Sequence, residues 1–249
     1  MRRFFIEEIK EKDGFCTVPE PEARHIVKVL RMKQGDRMIL MDSKGKRFEA
    51  SIESAALKEL IVKLIKKLPE PPPSPVSIDI CQAIIKPRVM NYMIEKTSEL
   101  GVSKIIPFYS ERTVIKLEEN KVQHKMRHWT EISRSAAKQS GRPLPADISE
   151  PLPFRELLHD LKEKEGLKVV LWESEDDNDI KDLLRSRTPE SRFTGIVGPE
   201  GGFSRDEINE LKDAGFIPVS MGTRILRAET AAIALVTIAQ YEWGDMGTD

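Results

Sequence analysis

The sequence predicts an α/β protein in which a small β-barrel with one helix is followed by a domain built on a parallel sheet. Three observations predict this fold class. Short β-rich runs occupy the first 68 residues, a proline-rich segment follows at 68–75, and strands alternate with helices after it. Proline fixes φ and removes a backbone donor, so this segment suits neither a helix nor a central strand. We therefore expect a barrel domain over residues 1–70 and an α/β domain over residues 71–249.

The barrel is expected to contain four strands and one helix. Alternating or β-branched residues predict strands at 4–6, 38–41, 48–52 and 60–65. Turn signals at 34–36 and 43–45 separate strands along the chain. The stretch from Pro21 to Arg31 interrupts the β pattern and predicts the helix.

The second domain shows strands and helices in turn. Its expected strands are 76–81, 105–108, 168–172, 195–197 and 217–220. Its expected helices are 87–100, which Gly101 closes, and 118–140, 154–164, 178–186, 204–214 and 226–242. This alternation predicts a parallel sheet covered by helices on both faces.

Composition and charge exclude several classes of protein. No run approaches the ~20 apolar residues of a membrane span, and acids follow the N-terminus where a signal peptide is apolar, so we expect a cytoplasmic protein. Cys16 and Cys81 show no CxxC spacing and are expected to be free thiols. The net charge of −1 hides an asymmetry, because residues 1–68 carry 16 Lys and Arg against 11 Asp and Glu. The basic N-terminal part can therefore contact phosphate.

Two glycine-containing loops leave the predicted carboxyl ends of strands, where open parallel sheets bind their ligands. The first is Gly198-Pro199-Glu200-Gly201-Gly202-Phe203-Ser204, and Ser204 with Glu207 forms an S-x-x-E capping box for the next helix. The second runs from Ser220 to Ala232 into an apolar helix. The alternatives are a tight strand-to-helix turn for the first loop and solvated or salt-bridged arginines in the second.

Better-known signatures are absent from the sequence. It contains no G-x-G-x-x-G of a dinucleotide site and no G-x-x-x-x-G-K-[ST] of a nucleoside triphosphate site. H-E-x-x-H and G-x-S-x-G are absent as well, which argues against a zinc hydrolase and a serine hydrolase.

The two loops together resemble the paired signature of the SPOUT methyltransferases, and in particular the ribosomal RNA small subunit methyltransferase E family. The second half of that signature is Gly222-x-Arg224-Ile225-Leu226-Arg227-x-Glu229-Thr230-Ala231. Further matching segments, in order along the chain, are Arg2 to Phe5, His25 to Arg31, Glu95 to Val102, Ser110-Glu111-Arg112 and Ser135 to Arg142. The resemblance covers most of both domains.

This resemblance implies a PUA-like β-barrel followed by a SPOUT-type α/β trefoil-knot domain that works as a homodimer. It further implies methylation of N3 of one uridine in 16S ribosomal RNA, with S-adenosyl-L-methionine as the methyl donor and without a metal. The methyl-donor pocket would then be formed by Leu171, Trp172, Glu173, Gly198, Pro199, Glu200, Gly201, Gly202, Met221, Gly222, Arg224, Ile225, Leu226 and Thr230. Backbone groups of the glycine loops would bind the adenine edge and ribose.

Attack by N3 of uracil requires loss of its proton, so a general base or a cation that stabilises charge on the ring carbonyls is expected. Glu229 is the candidate base and Arg227 the candidate cation. The alternative is that these two residues pair with each other or with the dimer partner and fix the start of the helix.

Cationic residues of the barrel are the candidates for RNA contact. They are Arg2, Arg3, Arg24, His25, Lys28 and Arg31, and Lys138 and Arg142 of the α/β domain would extend the track. Arg24, Lys28 and Arg31 are expected on one helix face, and a merely solvated face is the alternative.

Two competing functions stay open from the sequence. One is a non-catalytic RNA-binding or ribosome-assembly protein of the same fold, which would have no need of intact glycine loops. The other is a methyltransferase of the same fold that acts on tRNA or on another base.

Overall fold

The computed structural model describes residues 1–42, 44–56, 59–69 and 74–246. The chain folds into two compact units. The first comprises Met1–Pro73 with Arg134–Pro145, and the second comprises Ser74–Ser133 with Ala146–Asp249. The domain boundary expected at residue 70 lies outside the described residues and stays a prediction. The grouping of residues 134–145 with the N-terminal strands is a difference from the sequence prediction.

A five-stranded sheet forms the first unit. Its strands are β1 (Arg2–Ile6), β2 (Phe15–Pro19), β3 (Arg37–Asp42), β4 (Arg47–Ala55) and β5 (Glu59–Lys67). They lie in the order β1-β3-β4-β5-β2, with β1 parallel to β3 and the other pairs antiparallel. Alternate side chains such as Met38, Leu40 and Val62 are buried in one core. The four predicted strands are confirmed. The alternation of apolar and polar residues in their sequences matches the alternation of buried and exposed side chains in the sheet.

Strand β2 is missing from the sequence prediction. It has only five residues, Gly14 precedes it and Pro19 ends it, so it is a short run between turn residues. Cys16 and Val18 nevertheless alternate inward. The strand lies at the edge of the sheet, where Pro19 has no second neighbouring strand to bond.

The helical stretch predicted at 21–31 is confirmed in its place, to within two residues at each end, but it is not one regular α-helix. An α-helical turn, α1, covers only Glu22–Arg24, and a π-helical turn follows at His25–Val29. The N–H of Leu30 donates to the carbonyl of His25 at 3.0 Å, five residues back. Arg31 has a φ of 53°, so the chain has left the helix there. Arg24, Lys28 and Arg31 therefore do not share one α-helical face.

The second unit contains seven strands and most of the helices. Its strands are β6 (Ser77–Ala83), β7 (Lys104–Tyr109), β8 (Asp147–Ile148), β9 (Leu152–Pro153), β10 (Leu167–Leu171), β11 (Arg192–Val197) and β12 (Ile217–Val219). The helices are α2 (Pro87–Glu99), α3 (Glu119–Ser140), α4 (Phe154–Lys162), α5 (Ile180–Arg185), α6 (Arg205–Asp213) and α7 (Ala228–Trp243), and the last turns of α3 belong to the first unit. Within the described part of the chain, no helix is long and apolar enough to cross a bilayer.

The sheet of this unit is parallel throughout and covered on both faces, as the sequence predicts. Its order is β12-β10-β11-β6-β7-β8, with β9 beside β7. One core places side chains of α2, α5 and α7 against the sheet, and a second core on the other face contains those of α4 and α6. The predicted strands and helices agree with the observed ones to within a few residues. The two-residue strands β8 and β9 are too short to show a sequence period.

Close packing of α7 on β11 depends on one glycine. A Cβ built on Gly195 would collide with Cδ2 of Leu235 on α7 and lie 3.1 Å from Cδ1 of Ile80 on β6. The facing part of α7 carries small buried residues such as Ala232 and Ala239. The absence of a side chain at 195 therefore lets the helix lie directly on the strand.

Both cysteines are free and buried, in agreement with the packing role expected from the sequence. Burial raises the pKa of the Cys16 thiol and of the Cys81 thiol. For Cys81, the neighbouring Asp79 carboxylate raises the pKa further. Both groups are therefore neutral near pH 7 and act as small apolar side chains.

We expect Gly195→Ala to lower the free energy of unfolding by about 1–3 kcal/mol, because the new methyl group overpacks the contact with Leu235. Urea denaturation followed by circular dichroism measures this change. The matched test is Gly195→Ala in a Leu235→Ala background, where the colliding methyl group is gone. If the cost of Gly195→Ala is the same in both backgrounds, the packing explanation is wrong.

Candidate functional site

The loops that follow β10, β11 and β12 line one cavity of about 1200 Å³ in the second unit. These three strands are neighbours in the parallel sheet, so their carboxyl ends lie at the same edge. Both glycine loops singled out in the sequence contribute to the cavity wall. The edge of a parallel sheet is the usual place for a ligand in such folds.

Nearly all the residues expected at the methyl-donor pocket line this cavity. They are Leu171, Trp172, Glu173, Gly198, Pro199, Glu200, Gly201, Gly202, Met221, Gly222, Arg224, Ile225 and Leu226. Thr230 does not line it and is exposed. Ala228, Glu229 and Ala231 of the same helix turn do line it, and the helical period directs position 230 away from them. The structure therefore does not bring Thr230 together with the other expected pocket residues, and its role there stays a prediction.

The first glycine loop is a tight turn at the end of β11. The N–H of Gly202 donates to the carbonyl of Pro199 at 3.0 Å, and Gly202 has a φ of 67°. A Cβ on Gly202 would lie 2.6 Å from Oε1 of Glu173, in the loop after β10. Glycine is thus required at position 202 both by the backbone conformation and by the neighbouring loop.

The buried side chain of Gln82 forms a hydrogen bond to the first glycine loop from the end of the neighbouring strand β6. It lies at the end of β6 in register with Val197, and its side chain has no exposed surface. Its Nε2 donates to the carbonyl of Gly198 at 3.2 Å and to that of Ala83 at 3.0 Å. The amide therefore fixes the direction of the Gly198 carbonyl at the point where the loop begins.

The predicted capping box at the far end of the loop is confirmed, and it does more than cap α6. Oε2 of Glu207 accepts from the N–H of Ser204 at 2.9 Å, while the Ser204 hydroxyl accepts from the N–H of Glu207. Oε1 of Glu207 accepts from the N–H of Glu111, after β7, at 2.9 Å. The carboxylate is buried. It therefore joins the glycine loop, the helix start and the loop after β7.

Arg112 holds the same loop from outside. Its Nη1 donates to the carbonyl of Gly201 at 2.9 Å. Arg112, Gln82 and the second role of Glu207 are not assigned from the sequence. The available signal is the segment Ser110-Glu111-Arg112, which the sequence marks as family-like without giving it a function.

The second glycine loop is tied to the loop after β10. The N–H of Ser220 donates to the carbonyl of Asn178 at 2.8 Å, and the N–H of Ile180 donates to the carbonyl of Ser220 at 3.1 Å. Gly222 has a φ of 81° and open space where a Cβ would be, so its conformation rather than crowding favours glycine. Ile225 is 87% exposed. It therefore leaves a large apolar surface uncovered at the cavity.

Arg227 and Glu229, the two candidates for catalysis, both line the cavity at the start of α7. Arg227 is the N-cap residue of that helix and is exposed, while Glu229 is half-buried in its first turn. Among the described residues, neither side chain forms an ion pair with the other or with a third residue. The alternative in which they pair with each other is therefore not observed within this chain.

The cavity wall carries an excess of acidic side chains. The acids are Glu173, Glu175, Asp176, Asp179, Glu200 and Glu229, and the cations are Lys86, Arg224 and Arg227. Six carboxylates against three cations favour a positively charged ligand. No group of three or more His, Cys, Asp or Glu that could hold a metal ion occurs in the part of the chain that the structure describes.

All eight residues expected to contact RNA belong to the first unit, including Lys138 and Arg142, which the sequence places on the α/β domain. Arg2, Arg3, Arg24, His25, Lys28 and Arg31 are exposed. The charge of Lys138 is offset, because its Nζ lies 2.7 Å from Oε1 of Glu22. Nη1 of Arg2 donates to the carbonyl of Leu30, and Nη1 of Arg3 donates to that of Gln139.

Two family models match the chain. A model of the RNA methyltransferase domain matches residues 72–240, and a model of the RNA methyltransferase PUA domain matches residues 18–65. The first match alone covers more than half of the chain.

Relatives with the name ribosomal RNA small subunit methyltransferase E match nearly the whole chain. The protein of Bacillus subtilis (strain 168) is 29% identical over 249 residues, which are 97% of this chain and 97% of the relative. The protein of Mesomycoplasma hyopneumoniae (strain 232) is 32% identical over 238 residues, which are 95% of this chain and 98% of the relative.

Two solved structures with bound cofactor have the same fold. Ribosomal RNA small subunit methyltransferase E of Neisseria gonorrhoeae, bound to S-adenosyl methionine, superposes with a TM-score of 0.88 at 29% identity and covers 99% of each chain. A protein of Legionella pneumophila in complex with the cofactor SAM superposes with a TM-score of 0.89 at 32% identity and covers 98% of each chain.

We expect Glu207→Gln to lower the free energy of unfolding by about 1–3 kcal/mol, because one of the two N–H donors on this buried carboxylate then faces an amide NH₂ instead of an oxygen. Thermal denaturation measures the change. Asp206→Asn, an exposed substitution in the same helix turn that removes the same charge, is the matched control. Equal effects of the two substitutions would show that only the helix dipole is involved.

Proposed function

Because this chain belongs to the ribosomal RNA small subunit methyltransferase E family, we propose that it transfers the methyl group of S-adenosylmethionine to N3 of a uridine in 16S ribosomal RNA. One observation carries the proposal. The two glycine loops and the loop after β10 line a single cavity, with Arg227 and Glu229 at its wall. The proposed site thus brings a cofactor pocket and two groups able to move or stabilise charge into one place.

The residues of the cavity fit the methyl donor. Leu171 to Glu173, Gly198 to Gly202 and Met221 to Leu226 would hold it, since the glycine loops offer backbone groups free of side chains and the leucines offer apolar surface. The excess of carboxylates suits a cation. When bound, the donor supplies a methyl group made electrophilic by its sulfonium. The chain has to align that group with the attacking nitrogen and exclude water.

Glu229 and Arg227 are proposed to activate the uracil ring of the substrate for attack on the methyl group. N3 of uracil carries a proton, and Glu229 would accept it as attack proceeds. Arg227 would donate hydrogen bonds to a ring carbonyl oxygen, where negative charge develops as the proton leaves. Support comes from their place on the cavity wall and from the lack of an ion pair between them among the described residues. A paired carboxylate and guanidinium would be less available for either role.

The first unit is proposed to bind RNA. The boundary of this RNA-binding domain is proposed to lie at residue 70. Its match to a PUA domain model over residues 18–65 supports this role, as do the exposed cations Arg2, Arg3, Arg24, Lys28 and Arg31, with His25 beside them. Such residues would contact phosphates and position the RNA without reading its sequence. Lys138, paired with Glu22, and half-buried Arg142 would contribute less.

A homodimer, a trefoil knot of the SPOUT type and a cytoplasmic location complete the proposal. The dimer is supported by exposed aromatic side chains on two helices that pack together, Tyr92 of α2 and Tyr241 of α7, which are 51% and 64% exposed. The knot remains a prediction of the family resemblance. The location follows from a ribosomal RNA substrate.

We expect the purified protein to transfer a labelled methyl group from S-adenosylmethionine to small-subunit ribosomal RNA and to produce 3-methyluridine there. Nucleoside mass spectrometry after complete digestion identifies the product, and bulk tRNA is the control substrate. Label in tRNA instead, or a different methylated nucleoside, would contradict the proposed substrate. Binding of the donor without any transfer would favour a non-catalytic RNA-binding protein.

We expect Glu229→Gln and Arg227→Gln each to lower the rate of methyl transfer roughly 10²-fold or more, because each removes one charge-handling group. Single-turnover assays measure the rate, and calorimetry should show donor affinity within about threefold of wild type. Glu190→Gln and Arg187→Gln are matched controls on an exposed ion pair outside the cavity. A variant that loses donor binding and transfer equally would place its residue in the cofactor pocket instead.

A further inference from the structure

The carboxyl edge of the parallel sheet is divided into an acidic and a basic part. The loop after β10, residues 173–179, contains five acidic residues and no lysine or arginine. The segment from the end of β6 into α2 contains Lys86 and Arg88, and the loop after β7 contains Arg112; these three residues are here called the β6–β7 cations. The loop after β7 also holds Glu111, Lys116 and Glu118, so the excess of positive charge comes from residues 84–88. Since β11 and β6 are neighbours, the first glycine loop lies between these two parts.

Hydrogen bonds place the β6–β7 cations beside the cofactor cavity. The N–H of Lys86 donates to Oε1 of Glu200 at 3.3 Å, and Nη1 of Arg112 donates to the carbonyl of Gly201 at 2.9 Å. Lys86 also lines the cavity. Arg88 follows two residues later in the first turn of α2. The basic part therefore begins at the cavity wall and extends over β6 and β7.

The charges of these residues are not offset within the described chain. All three side chains are exposed, and none lies within ion-pair distance of a described carboxylate. The first turn of α2 contains no acidic residue, and the carboxylate that accepts at this helix start is that of Glu200, on the N–H of Lys86. Arg112 uses one N–H on Gly201 and keeps the others for a further acceptor.

We propose that Lys86, Arg88 and Arg112 bind backbone phosphates of the substrate RNA next to the nucleotide that enters the cavity. This inference rests on the proposed function and names a contact surface on the catalytic unit itself. The acidic loop after β10 repels phosphate, so the RNA strand leaves the cavity on the side of β6 and β7. The planar guanidinium of Arg112 can donate two parallel hydrogen bonds to a phosphate. Its hydrogen bond to the Gly201 carbonyl couples that contact to the first glycine loop.

The test is RNA binding by Arg88→Gln and by the double variant Lys86→Gln/Arg88→Gln. Both keep the backbone N–H of Lys86 that bonds Glu200. Filter binding of 16S ribosomal RNA is measured over a range of salt concentrations. For each phosphate that a variant no longer neutralises, the slope of log K against log salt should become shallower by about 0.7–0.9, and affinity near 0.1 M salt should fall about fivefold.

Arg192→Gln is the matched control, since Arg192 is exposed at the amino end of β11, at the opposite edge of the sheet. It should leave both the slope and the affinity at wild-type values. If Arg88→Gln behaves like Arg192→Gln, the proposed surface is wrong. Arg88 does not line the cavity, so donor affinity measured on the same variant should stay within about twofold of wild type.

Failure of this inference and failure of the proposed function give different results. RNA affinity does not require methyl transfer. A wild-type protein that transfers no methyl group, with the salt slope still reduced in Arg88→Gln, overturns the methyltransferase proposal and supports the RNA surface. Normal transfer by the wild type, with unchanged slopes in both variants, overturns the RNA surface alone.

Discussion

The site depends on the contact between α7 and the bare backbone of β11. β11 ends in the first glycine loop, and α7 begins with Arg227 and Glu229. Gly195 lets the helix lie so close that Leu235 occupies the space of its missing side chain. Because protein interiors are close-packed, the start of α7 cannot move relative to the first glycine loop without disturbing the contact between Leu235 and Gly195. The distance between the glycine loop and the two charged residues is thereby set in the core.

A second constraint acts on the glycine loop itself. A glycine-rich loop can adopt many conformations, and ordering it costs entropy. Gln82 binds the Gly198 carbonyl, Arg112 binds the Gly201 carbonyl, and Glu207 binds the Ser204 N–H. These three bonds come from β6, from the loop after β7 and from α6. The loop is thus ordered by its surroundings, and its open face is left free for a ligand.

Charge is distributed along the same edge in a way that suits two ligands of opposite sign. The acidic loop after β10 faces the cavity and favours a cation such as a sulfonium. The exposed cations beyond β6 and β7 favour an anion such as RNA. Both groups can act without neutralising each other because the glycine loop of β11 lies between them.

The sequence by itself determined the strands and helices of the α/β unit, the two glycine loops and the capping box at Ser204. Each of these features depends on residues that are close together along the chain. It missed β2, whose Pro19 is tolerated only because the strand lies at an edge, and it mistook the π-helical turn near His25 for a regular helix. Only the tertiary structure decided that Thr230 faces away from the cavity, that Glu22 offsets Lys138, and that Gln82 and Arg112 hold the loop. The reason is physical. Periodicity along the chain shows which face of a helix or strand is buried, but it does not show which distant residue a side chain contacts. Arg112 and Gly201 are 89 residues apart and Gln82 and Gly198 are 116 residues apart, so only the packing of the folded chain brings each pair together.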